Sequence, residues 1–228
     1  MFEKTTSLLP PETANDVEND GFTDIMMRLR YHTYNRHQLL EKLPFSQAIL
    51  RKSLPLSSYI CWLKVLWSIH HAVEKQCSNH LAPVVRAIWQ DDMVKTPLLE
   101  QDLAYFNQVD IYTLFSPLVQ QTTTDFVHYI HEMGSQNPLV LLGILYVLEG
   151  STLGARALLP YLQAAYSLEE DGVGYYHAYG EQTKNHWEDF KTGMNAIVRE
   201  TEAQNQVIQG AQKTYHYINV LLNLLWNS

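Results

Sequence analysis

Residues 29–41 read LRYHTYNRHQLLE and sit near the start of the first long helical pattern in a chain of 228 residues. At about 3.6 residues per turn, Met26, Arg30, Thr33, His37, Leu40 and Glu41 fall along one stripe, so a histidine stands among positions expected to face the interior. Glu41 follows His37 by one turn. Its carboxylate is placed to accept the imidazole Nδ1–H and leave Nε2 as an acceptor or a metal ligand. Arg30 lies two turns before His37 on the same side, and its cationic fork suits a carboxylate held beside the helix. These residues alone leave two readings open: a satisfied core histidine with solvated charges at its edge, or a base presented to a ligand.

Outward from this stretch the chain reads as helix after helix. Thr23 or Asp24 is placed to cap the first, which runs to residue 43 and stops at Pro44. A short helix over 46–53, a Leu-Pro-Leu turn at 54–56 and a long helix over 59–78 capped by Ser57 or Ser58 follow. Its apolar stripe is Ile60, Leu63, Leu66, Trp67 and Val73. Further helices are expected over 81–89, 98–106 and 117–133, the last ended by Gly134. Residues 138–148 and 154–166 form either one bent helix or two. A glycine-rich loop at 172–180 leads to helices over 183–200 and 202–226. No stretch alternates with the period of two that a strand needs, so the class is all-α. Residues 1–21 hold Pro10, Pro11 and acidic, polar residues and are expected to be a flexible arm, leaving residues 22–228 as one domain.

The totals narrow the function. Apolar residues make up 46% and charged residues 18% of the chain, with 14 Tyr and 5 Trp, so there is ample aromatic surface to bury in an ordered globule. A formal charge of −8, with no Lys or Arg cluster, argues against nucleic acid and anionic membranes as partners and favours a small ligand. Cys61 and Cys77 lie too far apart on one helical pattern to bridge, and no CxxC pair is present, which fits a reducing cytoplasm. The apolar run 138–148 is shorter than the roughly 20 residues a bilayer span requires. No signal-peptide core precedes it, so a soluble cytoplasmic protein is expected.

A second constellation lies at 146–155, YVLEGSTLGA. Gly150 and Gly154 are one turn apart in an apolar helix, where each costs about 1 kcal/mol relative to alanine. Either the pair lets another helix approach closely, or it leaves room for a flat ligand beside bare backbone.

Together, LRxxTxxxHxxLE and, about 110 residues on, YxxEGSxLGA resemble the bacterial haem oxygenases, in order and in spacing. GYY at 174–176 and WxxF at 187–190 extend the likeness loosely over residues 22–226. The resemblance implies a multi-helix bundle in which haem is sandwiched between a proximal helix and a kinked distal helix. It implies that haem is both cofactor and substrate, opened to biliverdin, Fe²⁺ and CO with O₂ and electrons from a reductase or ferredoxin. His37 then matches the proximal iron ligand and Glu41 the carboxylate that orients it. Gly150 and Gly154 match the distal glycines whose backbone crosses the haem, with Ser151 beside them on the same wall. Arg30 and Tyr146 match residues that hold the propionates, and Thr33 the family threonine one turn before the histidine. A neutral imidazole leaves iron able to bind O₂, and a distal wall of glycine backbone would press bound O₂ toward a ring carbon.

Other features carry less. Lys184 and Lys191 are further candidates for the propionates, and Tyr215 or Asn219 for the pocket side of the last helix. His177 reads as a surface loop histidine. His70, His71, Glu74, Asp125, His128 and His131 do not form the paired Glu-x-x-His motifs of a di-iron bundle, and Cys61 reads as core packing. Two alternatives accompany the leading expectation: a haem carrier or sensor without turnover, and a thiaminase-like or di-iron enzyme of the same fold.

Overall fold

Prolines set many of the helix starts. Pro44, Pro83, Pro97, Pro117 and Pro138 each occupy the first turn of a helix, where the missing N–H has no intrahelical partner to lose and φ is already helical. The computed structural model describes residues 21–78, 80–107 and 116–227. Apart from Gly21, the arm expected over residues 1–21 lies outside the described residues. Among the described residues there is no strand, and the all-α class is observed. The helices are α1 Ile25–Lys42, α2 Pro44–Leu50, α3 Leu56–Cys77, α4 Pro83–Ile88, α5 Thr96–Tyr105, α6 Pro117–Gln136, α7 Pro138–Tyr166, α8 Gly174–His177, α9 Thr183–Ile197 and α10 Thr201–Trp226.

Asp24 is the cap of α1, its carboxylate accepting from the N–H groups of Met26 at 2.8 Å and Met27 at 3.0 Å. By contrast, α3 starts at Leu56 on Pro55 without a side-chain cap, so Ser57 and Ser58 lie inside its first turn. Gly134 does not end α6, which continues to Gln136; it is a buried point of close approach to Gln76 of α3. The glycine-rich loop contains the short α8, and Tyr59 reaches it from α3 by donating to the Gly172 carbonyl at 2.8 Å. Both cysteines are free and buried.

The two apolar segments 138–148 and 154–166 are one helix, α7, of 29 residues. It is long and apolar enough to match a membrane span, but more than half of its most apolar window is buried in the protein. At the turn between the segments, the Ser151 hydroxyl donates to the Leu148 carbonyl at 2.7 Å and the Thr152 hydroxyl to the Glu149 carbonyl at 2.6 Å. The helix runs through this turn unbroken, although side-chain bonds of this kind slightly destabilise a helix.

Helix α10 holds the layers together, packing on α7, α1, α6, α2 and α3. Its crossing with α7 is made at two glycines. A Cβ on Gly143 would collide with the Val207 carbonyl and stand 2.6 Å from the Ala211 nitrogen; one on Gly210 would collide with the Val140 carbonyl. Around the crossing, Val140, Leu141, Ile144, Val207, Ile208 and Ala211 are buried. Because the opposing atoms are backbone, alanine at Gly143 or Gly210 forces the helices apart and is expected to cost roughly 1–3 kcal/mol or more. No atom lies within 4 Å of a Cβ on Gly154, so Gly154→Ala is expected to change stability by no more than about 1 kcal/mol, in the favourable direction. Urea unfolding followed by far-UV circular dichroism compares the three variants, and a Gly143→Ala protein as stable as wild type would overturn the argument.

Candidate functional site

The buried residues of α1 are Ile25, Met26, Arg28, Leu29, His32 and Thr33, all in its first half. Beyond Thr33 the helix leaves the core. The expected inward stripe is therefore inward only at Met26 and Thr33, with Leu40 half-buried, whereas Arg30, His37 and Glu41 are exposed. The His37 and Glu41 side chains are 58% and 63% exposed, with Nδ1 of the ring 3.7 Å from the Glu41 carboxylate. That distance is within ion-pair range and too long for a hydrogen bond.

From His37 a continuous wall of side chains leads to α7. The Tyr215 ring of α10 meets the His37 ring edge-on at 6.3 Å between centroids, and burial raises its phenol, with Thr33 nearby opposing the rise. Thr33 donates to the Leu29 carbonyl at 2.7 Å, and its hydroxyl lies 3.5 Å from that of Tyr146. Burial raises the Tyr146 phenol, opposed by the Thr33 hydrogen bond and by the positive charge of Arg30. Next, the Trp187 ring of α9 lies 5.8 Å from that of Tyr146, and its edge is 3.3 Å from where a Gly150 Cβ would stand. Gly154, one turn on, faces open space. The structure thus joins His37, Thr33, Tyr146 and Gly150 through Tyr215 and Trp187, with Arg30 at the edge. Of the two candidates on α10, Tyr215 is the one that meets His37, while Asn219 accepts from Asn223 of the same helix at 3.3 Å. Lys184 is exposed, and Lys191 pairs with Glu188 at 2.9 Å.

A family model described as Heme oxygenase matches residues 23–223. The chain belongs to the haem oxygenase family. Solved structures with the haem oxygenase fold agree over nearly the whole length. Heme oxygenase-1 from the cyanobacterium Synechocystis, in complex with heme, superposes with a TM-score of 0.81 at 18% identity, covering 90% of this chain and 93% of the other. Heme oxygenase from Leptospira interrogans gives 0.77 at 17% identity, covering 88% and 99%. A domain of unknown function with a heme oxygenase-like fold from Shewanella denitrificans gives 0.67 at 13% identity, covering 90% and 92%. No curated protein matches the chain by sequence.

Within this haem oxygenase fold a second His–Glu pair has the spacing of the first and the opposite environment. His70 and Glu74 of α3 are only 5% and 11% exposed, with Nδ1 3.9 Å from the carboxylate. Glu74 is satisfied by the Lys95 and Thr96 N–H groups at 2.7 and 3.0 Å and the Thr96 hydroxyl at 2.5 Å. His70 Nε2 lies 3.1 Å from the Tyr175 hydroxyl, and Ser151 of α7 lies nearby. Tyr175 is positioned by its own N–H and that of Gly174, which donate to Asp102 at 2.8 and 2.6 Å. A hydrogen-bonded set therefore ties α3 and α5 to the α8 segment in the interior and ends near the exposed Ser151, beside Gly150. The shared histidine-to-glutamate spacing was its one signal in the sequence. The other histidines weighed there are spread out: His71 stacks on Trp67, and His131 Nδ1 lies 2.8 Å from Gln76 Nε2. Among the described residues no three His, Cys, Asp or Glu side chains converge on a metal-sized site.

Burial pushes the His70 imidazole down to about 3, with the Lys95 charge acting in the same direction. In the unfolded chain it takes its proton near pH 6.5, so its contribution to stability is lost progressively as pH falls below about 6.5. Asp102 acts in the opposite sense. Burial raises it to about 6 against its two backbone donors, so the folded chain is protonated first and gains stability as pH falls from about 6 to 4. His70→Gln, which keeps a polar group toward Tyr175, is expected to remove the histidine share, up to about 1.4 kcal/mol per pH unit between pH 6.5 and 4.5. Urea unfolding of both proteins across that range checks it; parallel curves would contradict it.

Proposed function

We propose that the chain is a haem-degrading oxygenase that binds haem through His37 and opens it to biliverdin, Fe²⁺ and CO, using O₂ and electrons from a separate reductase or ferredoxin. One juxtaposition carries the reading: an exposed histidine with a carboxylate at its Nδ1 side on α1, and a glycine facing open space on α7, both helices being seated on α10. These residues fit haem. Nε2 of His37 points away from its carboxylate partner and is the nitrogen left for iron. Bare backbone at Gly154 admits a flat ring that a side chain would obstruct. When bound, haem supplies iron for O₂ and its own ring as the substrate.

The remaining roles belong to the chain's own groups. Glu41, 3.7 Å from Nδ1, would fix the tautomer that ligates by closing that gap to a hydrogen bond when haem binds. Arg30, exposed at the edge of the wall, and the Tyr146 hydroxyl, held near Thr33, would take the propionates. Trp187 covers the Gly150 side of α7, so the space over Gly154 is the part left for the ring. The Ser151 hydroxyl, exposed beside Gly150 and donating to the Leu148 carbonyl at 2.7 Å, is placed to accept a hydrogen bond from water at the distal face while the buried groups behind α7 exclude bulk water. Free cysteines suit a reducing cytoplasm as the place of action.

Hemin titration is expected to give a Soret band in the wild type that is lost or greatly weakened in His37→Ala. Because His37 is exposed, the variant should unfold at the same urea concentration as wild type, to within about 0.5 kcal/mol. Reductant and O₂ should then convert the wild-type complex to biliverdin with release of CO, seen by chromatography and CO capture. An unchanged spectrum in the variant would overturn the ligand assignment. A His37-dependent complex that yields neither product would make the protein a haem carrier or sensor.

A further inference from the structure

Glu149 immediately precedes Gly150 in α7, yet its side chain is buried and faces a different set of groups from the His37 wall. Its carboxylate accepts from the Tyr179 hydroxyl at 2.7 Å. The His186 ring of α9 stacks on Tyr179 at 3.9 Å between centroids and 11° between planes. The Lys95 ammonium lies 3.9 Å from the centroid of the same ring. A parallel ring at that height fills one face, so Lys95 takes the other. Lys95 also donates to the Asp92 carbonyl at 3.0 Å, while His186 Nδ1 lies 3.3 Å from the Asp92 carboxylate. Asp92 and His186 line a surface cleft with Ile88, Met93 and Phe190, so this side of the cluster reaches solvent.

Burial raises the Glu149 carboxyl, with Lys95 and then the Tyr179 hydrogen bond opposing the rise. Burial likewise lowers Lys95, against the pull of Glu149, Asp92 and Glu74. A buried carboxylate cannot be drawn off its hydrogen-bond donor without being stranded. Turning α7 about its axis would do that. A helix turns roughly 100° per residue, so the direction held by Glu149 sets the direction in which Gly150 and, one turn later, Gly154 face.

We infer that Glu149, held by the Tyr179 hydroxyl on which Lys95 and His186 pack, is a positioning residue for the haem site, fixing the rotation of α7 and thereby the clearance that Gly154 leaves beyond Gly150, which Trp187 covers. The inference rests on the reading of those glycines as the distal wall. Tyr179→Phe removes one hydrogen bond and keeps the ring that Lys95 and His186 pack on; Glu149→Gln keeps an acceptor and removes the charge. Each variant, as its ferric hemin complex, is titrated with azide and with imidazole, a small and a bulky distal ligand. Affinity for imidazole relative to azide is expected to shift by about tenfold, the scale of one charge-assisted hydrogen bond, with hemin affinity unchanged. A ratio within twofold of wild type in both variants, with native circular dichroism and intact hemin binding, overturns the inference.

Amide hydrogen exchange without hemin provides the readout that does not depend on the ligand. Faster exchange confined to residues 148–156 of α7 supports the clamp, and exchange equal to wild type in Tyr179→Phe overturns it even if Glu149→Gln fails to fold. If wild type gives no His37-dependent Soret band, the functional reading fails by that result. The exchange data then still decide whether Glu149 holds α7.

Discussion

Everything that faces the proposed ligand depends on how closely α7 and α10 cross. At Gly143 and Gly210 the two backbones approach until no Cβ fits between them, and the same α10 carries α1 on another part of its surface. The separation between His37 and the Gly150–Gly154 turn is therefore inherited from contacts a turn or more away from either. Close backbone packing is suited to this task because it is stiff. Side chains in a core can exchange rotamers to absorb a small displacement, while two carbonyl-to-glycine contacts cannot. Arg28 adds a polar tie between the same elements, donating from α1 to Gln204 and Asn205 of α10 at 2.9 and 3.1 Å.

Behind α7 the fold accepts an unusual density of buried ionisable groups: His70, Glu74, Lys95, Asp102 and Glu149. An apolar core of the same volume would be as stable or more so, so stability alone does not account for them. What they share is direction. Each is anchored to backbone or to a tyrosine hydroxyl; His70 and Asp102 tie α3 and α5 to the α8 segment, and Glu149 ties α7 to Tyr179 just beyond it. A helical turn that carries a glycine gains from external support in keeping one conformation. Buried, directional bonds supply that better than apolar contacts, which tolerate sliding.

Much of the fold was legible in the sequence because its determinants are local. Asp24 caps where a cap residue precedes an apolar period, and the prolines that read as stops proved also to be starts. The candidate site was legible in its spacing and not in its burial. Periodicity says which face of a helix is apolar, but not how far along the helix the core extends, and α1 leaves the core after Thr33. For the same reason Arg30 drew attention while the buried arginine is Arg28. The glycine motif was legible as an anomaly. Which glycines serve packing and which leave space depends on what stands opposite: Val207 and Val140 face Gly143 and Gly210, and Trp187 faces Gly150. Those neighbours are 60 or more residues away in two of the three cases and follow no local rule.

The two His–Glu pairs make the same point from the side of chemistry. His37–Glu41 and His70–Glu74 have one spacing and one geometry, with Nδ1 3.7 and 3.9 Å from a carboxylate. In water the first imidazole keeps an accessible nitrogen. In the core the second has already given its other nitrogen to Tyr175, and burial holds it neutral. A ligand can take only what folding has left unsatisfied, so the exposed pair keeps a nitrogen to offer and the buried pair does not. Exposure here is set by where α10 stops covering α1. The division of labour between two identical sequence patterns is thus a property of the helix packing, and the packing traces back to two glycines that neither pair touches.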